Sequence, residues 1–163
     1  MRNVSHKLSA LGLTAALALT GGTIAVHEGY VPGTYYDPVG ILSACFGHVS
    51  NDLIPGQKMS EDECLALLAK DLVKHNNQLT AAVRVPLSDQ EHAAYLSFHY
   101  NVGTGNFRSS TLLRHLNAGE RIEACNQLSR WVFARGIRLP GLVTRRAHER
   151  ELCLKGALSH VQN

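Results

Sequence analysis

Three regimes of hydrophobic and polar residues follow one another along the chain. The first is a run from Leu8 to Val26, nineteen residues without a charge, preceded by Arg2 and Lys7 and by no acid. As a single helix rising about 1.5 Å per residue it would reach roughly 28 Å, close to the ~30 Å hydrocarbon core of a bilayer. The second regime, residues 30–57, interrupts short apolar stretches with Pro32-Gly33, Asp37-Pro38, Gly40, Gly47 and Pro55-Gly56. That is the pattern of short strands and turns. The third regime is helical. Ser60-Glu61-Asp62-Glu63 is a capping box, and Leu65, Leu68, Leu72 and Leu79 follow at helical spacing, which predicts one long helix over 61–82. Ser88 to Glu91 is a second capping box and opens a helix ending at Gly103. Further helices are expected over 110–117, over 120–135 with a stop at Gly136, and from Pro140-Gly141 to Gly156. The expected fold class is α+β, mostly α: a small N-terminal β-hairpin lobe, a long connecting helix and a C-terminal helical lobe, with a cleft between the lobes.

A basic flank before an uncharged run is an export signal. Seven of the nineteen residues are Gly, Ser or Thr and five are Ala, so little free energy would hold the run in lipid. Two readings follow: a cleaved signal, with Ala16-Leu17-Ala18 as a weak site in mid-run, or a weak anchor able to leave the membrane intact. The residue physics favours the second, with a buried core helix as the plainer alternative. Either export reading places the rest of the chain in an oxidising compartment, where Cys45, Cys64, Cys125 and Cys153 are disulfide candidates with three possible pairings. The chain has no Cys-x-x-Cys and no His-Glu-x-x-His, so no metal site is expected.

Charge adds a polarity. Residues 27–91 hold nine acids and four bases, whereas residues 92–163 hold ten bases and four acids. Such a split suits an anionic polymer lying across a cleft, although a solvated basic face fits the charges equally. The net excess of +3 in 163 residues does not call for nucleic acid. Candidate chemistry lies in the segment from His27 to His48. Glu28 directly follows the apolar run, and an apolar flank disfavours a charged carboxylate, which makes Glu28 a candidate general acid. Asp37 stands among turn residues, suited to staying ionised and acting as a base. Two carboxyls in contrasting environments are what glycosidic bond cleavage uses, and Ser43 stands six residues beyond Asp37 to hold a water. The plain alternative is a pair of solvent-exposed acids.

The spacing of Glu28, Asp37 and Ser43, followed by Gly47-His48, resembles the phage-type lysozymes of glycoside hydrolase family twenty-four. The likeness continues through Asn101-Val102-Gly103-Thr104-Gly105-Asn106-Phe107, Ser110-Thr111-Leu112-Leu113, Ala124-Cys125, Arg130-Trp131, Gly141-Leu142-Val143 and Arg145-Arg146, and covers roughly residues 27–156. The uncharged run resembles the signal-anchor-release segment of a subgroup of these endolysins.

The resemblance implies a catalytic domain over 27–163 and a signal-anchor-release segment over 1–26. It implies Glu28 as general acid and Asp37 as the carboxylate that activates water or steadies the sugar cation. Ser43 stands where the family usually has Thr; the hydroxyl is kept and the stiffening methyl is lost. Asn101 would contact sugar, and of Arg145 and Arg146 the second would approach Glu28. His48 and Asp71 would form a structural pair between hairpin and helix. The bridges implied are Cys45–Cys64 and Cys125–Cys153. Trp131 is expected in the core, and His99 on a helix surface. The implied activity is hydrolysis of the β-1,4 bond between N-acetylmuramic acid and N-acetylglucosamine of bacterial peptidoglycan, without a cofactor, by a monomer. It would be exported by the host machinery, tethered to the inner membrane through residues 8–26 facing the periplasm, and then released. A non-catalytic murein-binding module and a lytic transglycosylase are the alternatives; Asp37 and the hydroxyl at 43 argue for hydrolysis.

Overall fold

The uncharged run is not one helix. In the computed structural model, which describes residues 3–37 and 40–160, it is split into α1 (Val4–Ala10) and α2 (Ala15–Glu28) by a connection in which Gly12 takes φ 85°. Thr14 caps α2 by accepting from the Leu17 N–H at 3.4 Å. The helix buries Ala16, Leu17, Ala18, Thr20, Gly21, Thr23 and Ile24. The hydroxyls of Thr20 and Thr23 donate to the carbonyls of Ala16 and Leu19, at 2.8 and 3.1 Å, so their burial carries no desolvation penalty. A Cβ at Gly21 would overlap Leu8 Cδ1, and one at Gly22 would overlap Ser5 Oγ. The glycine pair thus lets α1 lie directly on α2.

These helices belong to the first of two compact units, Met1–Lys74. Gly29, at φ 76°, ends α2, and an antiparallel hairpin of β1 (Val31–Tyr36) and β2 (Leu42–Cys45) follows. Its register pairs Thr34 with Ala44, Tyr35 with Ser43 and Tyr36 with Leu42, and is irregular between Val31 and Thr34. Pro32 has no N–H to give there, and a Cβ at Gly33 would strike the Gln57 carbonyl. Pro38, part of the expected Asp37-Pro38 turn, lies outside the described residues. The long helix α3 (Glu61–Thr80) opens with the expected capping box: the Ser60 N–H donates to Glu63 Oε2 at 2.7 Å, and the Glu63 N–H to Ser60 Oγ at 3.2 Å. A disulfide joins Cys45 to Cys64. Leu8, Leu17, Ile24, Phe46, Leu65, Leu68 and Leu72 form the core of this unit.

The second unit, His75–Asn163, takes the last residues of α3 and then α4 (Asp89–Ser109), α5 (Thr111–Asn117), α6 (Arg121–Gln127), a 3₁₀ turn at Leu128–Arg130, β3 (Phe133–Ala134), β4 (Ile137–Arg138) and α7 (Pro140–Ser159). Tyr95, Leu96, Phe98, Phe107, Leu112, Leu116 and Leu128 are its core, and a disulfide ties Cys125 on α6 to Cys153 on α7. The architecture is α+β, mostly α.

Three helix boundaries differ from expectation. Gly103 does not end α4; it breaks it, at φ 81° and ψ 165°, and a further helical stretch runs on to Ser109. The expected helix over 120–135 ends at Gln127, and β3 and β4 form a hairpin around Arg135 and Gly136, at φ 50° and 77°. Trp131, Val132 and Phe133 favour strand over helix, and two successive positive φ values are the signature of a tight hairpin turn. Gly156, read as a helix stop, lies inside α7. Its Cβ would overlap Ser88 Oγ and come within 2.7 Å of the Glu91 nitrogen, so its role is close approach of α7 to the start of α4.

Candidate active site

Glu28 is the last residue of α2, half-buried. Its Oε2 lies 3.9 Å from the position a Cβ would take on Gly47, in the turn after β2. Tyr30 and Phe46 stack beside this turn with ring centroids 5.4 Å apart. Nine residues after Glu28, Asp37 stands at the end of β1 and organises the hairpin turn. Its Oδ1 accepts from the Ile41 N–H at 2.8 Å, its own N–H donates to the Ile41 carbonyl at 2.9 Å, and its carbonyl accepts from the Gly40 N–H at 2.9 Å.

Tyr35, on β1, lies within electrostatic reach of both carboxylates. Burial, then the charge of Glu28, then that of Asp37 push its phenol above the ordinary value. Ser43 is the register partner of Tyr35, and directly opposed residues of an antiparallel pair project from one face. Ser43 is 3% exposed and donates a long hydrogen bond to the Ile41 carbonyl, at 3.4 Å. The charges of Glu28 and Asp37 thus reach the tyrosine that stands opposite Ser43 in the hairpin of the first unit. Two carboxyls and a small hydroxyl on neighbouring elements are parts that protonating a leaving oxygen and positioning a water would use. Nearby, His48 Nδ1 donates to Asp71 Oδ2 at 2.8 Å, fastening the turn after β2 to α3.

The second unit holds the other expected residues. Arg146 is 1% exposed; it donates to Asn101 Oδ1 at 2.7 Å, pairs with Glu149 at 3.0 Å and lies 4.9 Å over the Phe98 ring. Arg145, also buried, pairs with Glu149 Oε1 at 3.1 Å and donates to the Ser97 carbonyl at 3.2 Å, while Ser97 Oγ donates to Glu149 Oε1 at 2.7 Å. Burial pushes the Glu149 carboxyl upward, against the pull of Arg146 and Arg145. Glu149 went unnoticed in the sequence, yet it organises both arginines. The available signal was its spacing, three and four residues beyond them on one helix face. Trp131 is half-buried and packs edge-on against Phe98, with centroids 5.2 Å apart.

The profile of the family described as phage lysozyme matches residues 25–149. The chain belongs to the phage lysozyme family. A protein named SAR-endolysin from Bacteriophage PS119 is 41% identical over 160 residues, covering 90% of this chain and 96% of that protein. Among solved phage lysozymes, a P22 lysozyme mutant is 27% identical, with TM-score 0.75 over 87% of this chain and 97% of that one. The active form of the P1 phage endolysin Lyz shares the fold, with TM-score 0.80 at 23% identity over 91% of this chain and 89% of that one.

One feature of the second unit departs from what the sequence led us to expect. His99, expected on a helix surface, is fully buried. Thr104 Oγ1 gives its one proton to Gln78 Oε1 at 2.8 Å, so it accepts from His99 Nε2 at 3.3 Å. His99 Nδ1 is then the acceptor for His75 Nδ1, 3.0 Å away. Burial, then His75, then Arg108 push the His99 imidazole down to about 4. The chain of bonds spans the break at Gly103. Among the described residues no group of three His, Cys, Asp or Glu side chains is arranged to hold a metal ion.

Proposed function

We propose that this lysozyme-type hydrolase is an endolysin of the muramidase class. It cuts the β-1,4 bond between N-acetylmuramic acid and N-acetylglucosamine, the activity numbered EC 3.2.1.17, and breaks the host wall. Glu28 donates the proton to the leaving oxygen. Asp37 activates the water or steadies the developing sugar cation, and Ser43 holds that water. Asn101 is exposed and contacts the sugar, while Arg146, expected to touch it as well, is buried and bonded to Asn101 Oδ1, where it positions that side chain. The observation that carries this reading is that the charges of Glu28 and Asp37 reach Tyr35, the register partner of Ser43, inside the stretch that matches the family.

The test is digestion of purified peptidoglycan by full-length protein, with Glu28→Gln in parallel and fragments weighed by mass spectrometry. Fragments ending in reducing muramic acid, reduced by about 10²–10⁴-fold in the variant, are expected. Ends lighter by the mass of one water would overturn hydrolysis in favour of a transglycosylase.

The same proposal includes the route to the wall: export by the host machinery, tethering to the inner membrane through residues 8–26, and release into the periplasm, where residues 27–163 act as the catalytic domain. The name SAR-endolysin borne by relatives and the uncharged, small-residue run support it. No helix among the described residues is long and apolar enough to cross a membrane, and α2 carries the run through to Glu28. Release would thus exchange lipid for the α1–α2 packing and bring Glu28 into position. Leucines at Thr20, Gly21, Gly22 and Thr23 would retain the run in lipid but also disrupt that packing. Ser9, Ala10 and Ala15 are exposed, so Ser9→Leu, Ala10→Leu and Ala15→Leu together make the cleaner test. The variant should stay with the membrane fraction and delay lysis; unchanged release would refute the tether.

A further inference from the structure

A cleft of 760 Å³ in the second unit is lined by Arg84, Arg108 and Arg114 and by no acid. Its walls are fastened together. Asn117 Oδ1 accepts from the Arg84 N–H at 2.8 Å, and Asn117 Nδ2 donates to the Ala82 carbonyl at 3.0 Å, which pins the loop after α3 to α5.

Several other cations of this unit are held by partners within the protein. Arg121 is paired with Glu91, Arg145 and Arg146 with Glu149, and Lys155 with Glu151, while Arg150 donates to Asn126. Arg84, Arg108 and Arg114 have no side-chain hydrogen bond or ion pair among the described residues. The hydroxyls on the rim are already committed to the protein: Ser109 to the Gly105 carbonyl, Ser110 to the Phe107 carbonyl and Thr111 to Gln127. The donors left to a ligand are thus three like charges around one concavity, where their fields add. They repel one another unless an anion lies between them, and their forked donors match carboxylate geometry bidentately.

We propose that this cleft binds carboxylates of the peptide stems of peptidoglycan, as a wall-holding site separate from the catalytic carboxylates. The assignment rests on the muramidase reading, which supplies a polymer whose peptide branches carry several carboxylates. Shape favours a narrow peptide over a lipid surface. The cleft is concave, its apolar lining is limited to three alanines and Leu113, and Leu113 is buried, whereas a membrane-binding face presents large exposed apolar side chains.

Calorimetry with full-length protein and the soluble stem tetrapeptide (L-Ala, γ-linked D-Glu, diaminopimelate, D-Ala) reads the cleft without turnover. The tetrapeptide should bind, the triple variant Arg84→Gln/Arg108→Gln/Arg114→Gln should weaken it by about tenfold or more, and inorganic phosphate should bind far more weakly than the peptide. On intact peptidoglycan the triple variant should raise KM by about fivefold with kcat unchanged. On glycan stripped of its peptides by an amidase, both constants should match the parent. Equal peptide affinity in parent and variant, phosphate binding as tight as peptide, or an equal KM rise on both substrates would each overturn the proposal. Arg114→Lys keeps the charge and loses the fork, so it should give an intermediate loss of peptide affinity in a chain with the parent's unfolding midpoint. Failure to cut any glycan would count against the muramidase reading, while the calorimetric result would still decide the cleft.

Discussion

Ser43 shows how little of a site residue's value lies in stability. Its hydrogen bond to Ile41 is long, so Ser43→Ala should cost under about 1 kcal/mol of folding free energy. The hydroxyl it removes faces the same tyrosine that senses Glu28 and Asp37. Turnover should fall by about tenfold or more, equivalent to roughly 1.4 kcal/mol of barrier, with KM and the heat-unfolding midpoint nearly unchanged; steady-state kinetics beside calorimetry checks this. His99 is the opposite case, a residue whose titration is a folding event. Its folded value is depressed to about 4, so below the ordinary histidine range the unfolded chain takes up a proton that the folded chain refuses. Stability present above about pH 6.5 is then lost as pH falls towards 4, at up to about 1.4 kcal/mol per unit. Protonated His99 Nδ1 would also meet the His75 N–H head-on. His99→Gln should flatten the pH dependence of the unfolding midpoint over that interval while leaving it little changed at neutral pH.

At the scale of elements, Gly156 joins α7 to α4. The obstruction to a Cβ there includes the Glu91 backbone nitrogen at 2.7 Å, which cannot move without disturbing the capping box of α4. Gly156→Ala should therefore destabilise by about 1–3 kcal/mol despite alanine's higher helix propensity, read as a lower denaturant midpoint at unchanged slope. The same glycine shows what a sequence conveals and what it withholds. Helix starts were legible because a capping box is local: Ser60 with Glu63 and Ser88 with Glu91 satisfy each other within four residues. Helix ends were less so, because Gly103, Gly136 and Gly156 serve a break, a hairpin turn and a close approach, and a glycine looks alike in all three. Glu28, Asp37 and Ser43 were singled out by the resemblance to the family, on one short segment whose spacing alone is a weak signal. Tyr35 needed the strand register, and the inward face of His99 needed the packing of α4.

At the scale of the molecule, each unit carries one disulfide within itself, Cys45–Cys64 in the first and Cys125–Cys153 in the second. They close loops of sequence separation 19 and 28, worth about 3 kcal/mol each by the loop-entropy estimate. Cys45→Ala/Cys64→Ala should lower the stability of the chain by about that amount, and reductant should lower the parent's unfolding midpoint while leaving that of the four-alanine variant unmoved. The split of charge along the chain was legible as composition; its use was not, since Arg121, Arg145, Arg146 and Lys155 of the second unit are spent on internal ion pairs. A last consequence concerns α2. Gly21, Gly22, Thr20 and Thr23 give up lipophilicity, and in the fold they are also where α1 is received and where hydroxyls return to their own helix. On the proposed tether, two selective pressures with different tolerances fall on the same few codons. A bilayer would accept any drift towards larger apolar residues, and the folded helix would reject it at Gly21 while permitting it at exposed Leu19 and Val26. Lineages of this enzyme would be expected to vary along one side of the segment and stand still along the other, a helical stripe of slow substitution in a stretch whose composition alone looks unconstrained.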